Sequence, residues 1–229
     1  MEKKELLRKG AESRLKPEPK DSRPSKLHWI SNKVFDIIKL VLGICLLPFV
    51  YSFTLAFLSQ ITYIDASLQN YLWAGVFTFL LVYLFVWEPA WVYEKGHKLL
   101  EFVFSFFQPL VKVAPYLLPI YTILLFVIYL ILAVFIKEGW LINYTMFFFG
   151  LSIALHLVFS SRTIRSKKGD ILKSNYIFGF SFIYIVNLGL FSLFLNIIFK
   201  DFSFVHFCNN AYSIAGSIFK AVFSQLFMV

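Results

Sequence analysis

Five apolar segments constrain this chain more than any other feature of its sequence, because each is long enough to cross a lipid bilayer. They contain 17–25 residues each, and a helix needs about 20 residues to span a hydrocarbon layer of about 30 Å. Charged residues make up only 15% of the chain, whereas a soluble domain carries about 25%. The sequence therefore predicts an all-α integral membrane protein with about five transmembrane helices. The predicted spans are 34–58, 71–87, 114–136, 141–160 and 176–199.

Residues 1–33 differ in composition from the rest of the chain. They hold ten Lys and Arg, five Asp and Glu, and three prolines. Such a segment has too little apolar surface to fold alone. We therefore predict a disordered basic tail over 1–33, followed by one helical membrane domain over 34–229.

The distribution of positive charge predicts that the N-terminus is cytoplasmic. With that orientation, the cytoplasmic segments 1–33, 88–113 and 161–175 hold 18 of the 22 Lys and Arg residues. Cytoplasmic loops of membrane proteins carry such an excess, and all five tryptophans fall at span ends, as an aromatic belt requires. We predict a multi-pass protein of a bacterial cytoplasmic membrane, with a eukaryotic endomembrane as the alternative. The net charge of +9 then predicts contact with anionic lipid on the cytoplasmic side, and no nucleic-acid partner.

The segment at about 90–113 is too polar to cross the membrane and too apolar for a free loop. Its polar residues recur every three or four positions, as on one face of a helix. They are Glu94, Lys98, Glu101, Ser105, Gln108 and Lys112. This pattern predicts an amphipathic helix that lies on the cytoplasmic membrane interface.

The C-terminal segment, at about 203–228, has a second stripe of this kind. Its members are His206, Asn210, Ser213, Ser217, Lys220 and Ser224. We predict an amphipathic helix that is interfacial or partly inserted. Two alternatives remain, namely a sixth span whose polar stripe contacts other helices and a sixth span that lines an aqueous path.

Catalytic and metal-binding patterns are scarce. Glu94 and His97 have Glu-x-x-His spacing, and Glu101 follows on about the same face, which makes these three residues a weak candidate site for metal or lipid chemistry. No nucleotide-binding or hydrolase motif occurs, and the sequence predicts no cofactor. Asn187 and Asn196 in the fifth span predict helix contacts, because their amides need partners in lipid.

A basic segment after the fourth span predicts contact with lipid phosphate or with an acidic partner. Its candidate residues are Arg162, Arg165, Lys167 and Lys168.

The predicted spans have no acidic or basic residues at their centres, which argues against an ion-driven transporter. The favoured hypothesis is a non-enzymatic subunit that assembles with itself or with another membrane protein. The alternatives are a homo-oligomeric pore lined by the C-terminal stripe, and an interfacial enzyme or lipid-handling protein.

Overall fold

The computed structural model describes residues 26–86, 88–106, 114–136, 139–166 and 174–227. These ranges are helical, with short turns and no strand, which confirms the all-α class. The helices are α1 (Lys26–Ile61), α2 (Ala66–Leu81), α3 (Ala90–Val103), α4 (Ile120–Phe135), α5 (Gly139–Ser166), α6 (Ser174–Ile198) and α7 (Phe204–Phe227). A π-helical segment, Val82–Val86, extends α2.

Within the described ranges, four helical segments are long and apolar enough to cross a membrane. They are Ile37–Ile61, Ala66–Val86, Gly139–Ile164 and Tyr176–Ile198. The apolar helix α4 has 16 residues and a length of about 24 Å, so it is shorter than a typical span. The predicted span 114–136 is divided, because a helical turn at 114–117 ends before Pro119 and α4 begins after it. Proline lacks an N–H and disfavours helical geometry in the preceding residue.

Two other helix boundaries differ from the prediction. Helix α1 begins at Lys26, within the segment predicted as a tail, while residues 1–25 lie outside the described residues. Helix α3 ends at Val103, and Phe104–Phe106 form a turn, whereas we predicted a helix to residue 113. Residues 107–113 are also outside the described ranges. The last buried residue of α3 is Leu100, so packing against the bundle ends one turn before Phe104.

Helices α2 and α5 pack with their backbones in contact. A Cβ atom built on Gly75 would overlap the carbonyl oxygen of Phe147, and one built on Gly150 would overlap the carbonyl oxygen of Leu72. Only glycine permits so close an approach, as at small-residue contacts between membrane helices. Further along, Tyr83 at the end of α2 meets Phe159 of α5, so the two helices run in parallel.

A second parallel pair consists of α1 and α6. Thr54 and Tyr184 share a hydrogen bond of 2.9 Å between their hydroxyl oxygens, and the rings of Phe57 and Phe191 are 5.8 Å apart. Phe191 also touches Phe149 of α5, with ring centroids 5.7 Å apart. This aromatic contact joins the two helix pairs in one core.

Helix α4 packs antiparallel to α5 and parallel to α6. The hydroxyls of Thr122 and Ser152 are 2.9 Å apart, and Asn187 of α6 donates a hydrogen bond of 2.9 Å to the carbonyl of Leu117. The predicted contact role of Asn187 is therefore confirmed. Tyr116 contacts Ser160, further along α5 than Ser152, and Phe126 stacks on Phe194, further along α6 than Asn187. Helices α1, α4 and α6 therefore run in one direction and α2 and α5 in the other.

Helix α7 runs antiparallel along α1. The Gln60 side chain contacts His206 at 2.7 Å, and thirteen residues further along α7, Phe219 packs on Phe49 with ring centroids 5.6 Å apart. The face that meets the bundle is formed by Phe207, Ala211 and Ala215, all buried. Helix α7 therefore lies alongside α1 and is not placed across the end of that helix.

Candidate functional site

Helix α3 presents three different surfaces. Its buried residues are Tyr93, Gly96 and Leu100, and they pack towards α4 and α5. Its exposed apolar residues, here called the apolar sector, are Trp91, Leu99, Phe102 and Val103. The remaining sector carries Glu94, His97, Lys98 and Glu101, which all line one cavity. The spacing of 3, 1 and 3 residues between these four side chains places them on one face of a helix.

This cavity, here called the α3 cavity, has a volume of about 500 Å³. The opposite wall is formed by the last turns of α5, with Phe159, Arg162 and Thr163, and by Tyr116 ahead of α4. Arg162 forms an ion pair with Glu88, which precedes α3. This ion pair connects the start of α3 to the end of α5 across the cavity.

A buried hydrogen-bond network lies behind the cavity. The hydroxyl of Ser160 contacts the hydroxyl of Tyr93 at 3.2 Å and Nε2 of His156 at 3.3 Å. Ser160 also donates to the carbonyl of Tyr116 at 3.3 Å. Ser160 and His156 are 0% and 4% exposed. No substrate can reach a serine buried in this way. Its hydrogen bonds to Tyr93 and Tyr116 therefore connect α5 to α3 and to the segment before α4.

His97 lies between this network and the cavity. Its ring packs edge-on against Tyr116, with centroids 4.7 Å apart, and its Nε2 is 3.5 Å from a carboxylate oxygen of Glu101. Burial lowers the pKa of His97, and the Glu101 carboxylate partly opposes that change. The buried Nδ1 atom has no hydrogen-bond partner among the described residues. His97 is therefore mainly a neutral imidazole near pH 7.

Burial also changes the acidity of Tyr93. Removal from water raises the pKa of its phenol, and the hydrogen bond with Ser160 partly opposes this rise. The Tyr93 ring stacks on Phe159, with centroids 5.5 Å apart. Tyr93 therefore stays protonated and contributes an aromatic wall to the cavity.

The structure thus brings Glu94, His97 and Glu101 together, as the sequence predicted, and adds groups that the sequence analysis did not connect with them. Glu88, Tyr93 and Arg162 reach the same cavity from outside the predicted stripe. Their positions depend on the packing of α3 against α5, so no spacing rule could have found them. Among the described residues, no group of three or more His, Cys, Asp or Glu side chains could hold a metal ion.

Of the basic residues in the predicted segment, only Arg162 has a side chain that is described. Arg165 belongs to α5, but only its backbone is described. Lys167 and Lys168 lie outside the described residues. The predicted contact of this segment with lipid phosphate or an acidic partner therefore stays a prediction.

The C-terminal stripe is mostly exposed, and His206 is among its exposed residues. His206 bonds to Gln60 and lines a small cavity of about 220 Å³ together with Asp201, and Asn210 is half-buried. Ser213, Ser217, Lys220 and Ser224 are exposed. The stripe is therefore not the surface through which α7 meets α1, since Phe207, Ala211 and Ala215 make that contact.

Comparison with known proteins yields no relative. No protein-family model matches this chain, and neither the curated proteins nor the solved structures include a match.

Proposed function

We propose that this chain is a non-enzymatic, multi-pass subunit of a membrane assembly, and that the exposed face of α7 is its contact surface. The observation that carries the proposal is the depth of Lys220. Its neighbour Phe219 packs on Phe49, which is the middle residue of the apolar segment Ile37–Ile61. If α1 crosses the bilayer, Lys220 lies near the centre of the hydrocarbon layer.

A lysine at this depth is unfavourable when it faces lipid. Insertion scales assign a cost of about 2.5–3.5 kcal/mol to a charged side chain at the centre of a span. Lys220 is exposed, and no residue of the described ranges forms an ion pair or hydrogen bond with its ammonium group. Ser213 and Ser217 lie on the same exposed side of α7. A second protein that covers this face would remove these polar groups from lipid and supply an acceptor for Lys220.

The membrane orientation is part of the same proposal. Lys95, Lys98 and Arg162 all lie at the end of the bundle where α3 is found, and residues with positive charge concentrate on the cytoplasmic side. We place this end in the cytoplasm, as expected for a bacterial cytoplasmic membrane. The apolar sector of α3 then lies against the cytoplasmic leaflet, as in an interfacial helix.

A pore lined by the same stripe has less support. His206 is exposed, but its ring is already bonded to Gln60, and the Ser217 hydroxyl donates to the carbonyl of Ser213 at 3.0 Å. These two side chains therefore have less hydrogen-bonding capacity left for a water column. If a pore nevertheless forms, replacement of Ser217 by Leu should abolish the conductance of reconstituted protein.

The test of the assembly proposal is the mass of the particle extracted in mild detergent. The single chain has a mass of 26.7 kDa, and we expect the extracted protein to be larger by one or more subunits. The double substitution Ser217→Leu/Lys220→Leu removes the charge and one hydroxyl from the exposed face and so reduces the need for a partner. We expect this variant to be recovered mainly as a single chain.

A matched control is Val134→Ser, which adds a hydroxyl to an exposed position of α4 without touching α7. We expect its particle mass to equal that of the unmodified protein. A single-chain mass for the unmodified protein, or an unchanged large particle in the Ser217/Lys220 variant, contradicts the proposal.

A further inference from the structure

We propose that the α3 cavity binds the headgroup of an aminophospholipid, that is, a lipid whose phosphate is esterified to a group that carries a primary ammonium. Arg162 and Lys98 would face the phosphate, and Glu94 and Glu101 would face the ammonium. This site lies on a different element from the α7 face, so it does not depend on the proposed assembly.

The size and walls of the cavity fit a polar ligand with an organic part. A volume of about 500 Å³ is within the usual range for small-molecule sites, about 300–1,000 Å³. Tyr93, Tyr116 and Phe159 form aromatic walls, and such rings attract an ammonium group through their electron-rich faces.

The charges of the lining favour a ligand with both signs. Glu88 and Arg162 neutralise one another in their ion pair, although the arginine keeps further N–H donors that can bind phosphate. His97 is mainly neutral, so Glu94, Glu101 and Lys98 carry the remaining charges. Their sum is one negative charge, which disfavours a purely anionic ligand and favours one with an ammonium group.

The position of the cavity favours a lipid over a soluble molecule. On α3, the cavity residue Lys98 follows Trp91 of the apolar sector by seven residues, or about two helical turns. The two side chains therefore leave the helix on nearly the same side, and the cavity adjoins the apolar sector. Phe102 of the apolar sector is 78% exposed, and Phe106, in the turn after α3, is 81% exposed. An interfacial helix buries such side chains between acyl chains. A headgroup in the cavity can therefore leave its own acyl chains in the same leaflet.

The test is lipid retention by the full-length protein, measured by native mass spectrometry after release from nanodiscs. The nanodiscs contain equal amounts of dioleoyl phosphatidylethanolamine, phosphatidylglycerol and phosphatidylcholine. We expect one phosphatidylethanolamine to be retained about tenfold more than either other lipid, because only its headgroup has a positive charge that also donates hydrogen bonds to a carboxylate. Equal retention of the three lipids overturns the proposal.

Charge reversal locates the site. Glu94→Lys/Glu101→Lys changes two exposed side chains and should shift the preference from phosphatidylethanolamine to phosphatidylglycerol. The control is Lys95→Gln, whose side chain lies over the Trp91 ring and outside the cavity lining. We expect this variant to retain lipids like the unmodified protein. An unchanged preference after charge reversal, or an equal change in the control, refutes the assignment.

A soluble competitor separates a lipid site from a site for a free phosphate ester. O-Phosphoethanolamine has the same headgroup without acyl chains. We expect a millimolar concentration to leave the retained phosphatidylethanolamine in place, since the acyl chains contribute to binding through the apolar sector. Displacement of the lipid at micromolar concentration contradicts the lipid assignment.

Discussion

The close contact between α2 and α5 predicts a large effect of a single methyl group. A Cβ on Gly75 would lie 2.9 Å from the backbone nitrogen of Leu151, and one on Gly150 would lie 3.0 Å from that of Val76. Ordinary contacts of a Cβ atom begin at 3.4 Å. Because the opposing atoms belong to helix backbones, no change of rotamer can relieve the overlap. Gly75→Ala or Gly150→Ala must move the two helices apart.

The size of the effect follows from the lost contacts. The shift needed at Leu151 is about 0.5 Å, and the carbonyl oxygens demand a larger one. A gap of about 0.5–1 Å removes about a quarter to a half of the dispersion energy of each contact. Overpacking a tight contact typically costs 1–3 kcal/mol, so we expect each substitution to lower the free energy of unfolding by about 2–3 kcal/mol. The double variant should lose less than the sum, because the first methyl group already separates the helices.

The assay is equilibrium unfolding in mixed micelles with increasing SDS. The control is Gly189→Ala in α6, where no atom lies within 4 Å of the added Cβ. There we expect stability to be unchanged or raised by up to about 1 kcal/mol, since alanine favours a helix. If the Gly75→Ala and Gly150→Ala variants are as stable as this control in the assay, the backbone contact between α2 and α5 is refuted.

Two further predictions concern hydrogen bonds and pH. Asn187→Leu removes the bond to the carbonyl of Leu117 and should lower the free energy of unfolding by about 1–2 kcal/mol, and unchanged stability in the same micelle assay would argue against that link. The lowered pKa of His97 means that the unfolded chain binds more protons just below pH 6.5, so stability should fall as the pH drops through this value. His97→Gln should reduce the loss of melting temperature between pH 7.5 and pH 5.5, and an equal loss in both proteins would refute this role.

The helical membrane class could be predicted from the sequence because it depends on local composition. Segment length and hydropathy identify the apolar helices without knowledge of their neighbours. The polar stripe of α3 was also predictable, since Glu94, His97 and Glu101 share a face through their spacing alone. Pro119 marks in the sequence the place where the third predicted span is interrupted. It does not show whether the helix is kinked or divided there, because a proline can do either.

The parts that could not be predicted depend on which helices meet. Gly75 and Gly150 lie 75 positions apart, and neither glycine identifies the other as its partner. Arg162 was predicted to contact lipid phosphate or an acidic partner, but its ion pair with Glu88 and its place in the α3 cavity depend on helix packing and could not be predicted. On α7, the small residues Ala211 and Ala215 contact the bundle while the polar stripe faces outward. From the sequence, either surface could have formed that contact.

The arrangement around α1 has a consequence for how the chain is made. Thr54 finds its partner Tyr184 only 130 residues later, and Gln60 finds His206 only 146 residues later. At a translation rate of about 5–20 residues per second, that delay is roughly 7–30 s. Thr54 can donate meanwhile to the carbonyl of Val50 in its own helix, whereas the hydrogen bonds described for the Gln60 side chain all involve residues 203–206. Until α7 emerges from the ribosome, the Gln60 side chain must therefore find its hydrogen bonds outside the chain, in water, in lipid headgroups or in the insertion machinery.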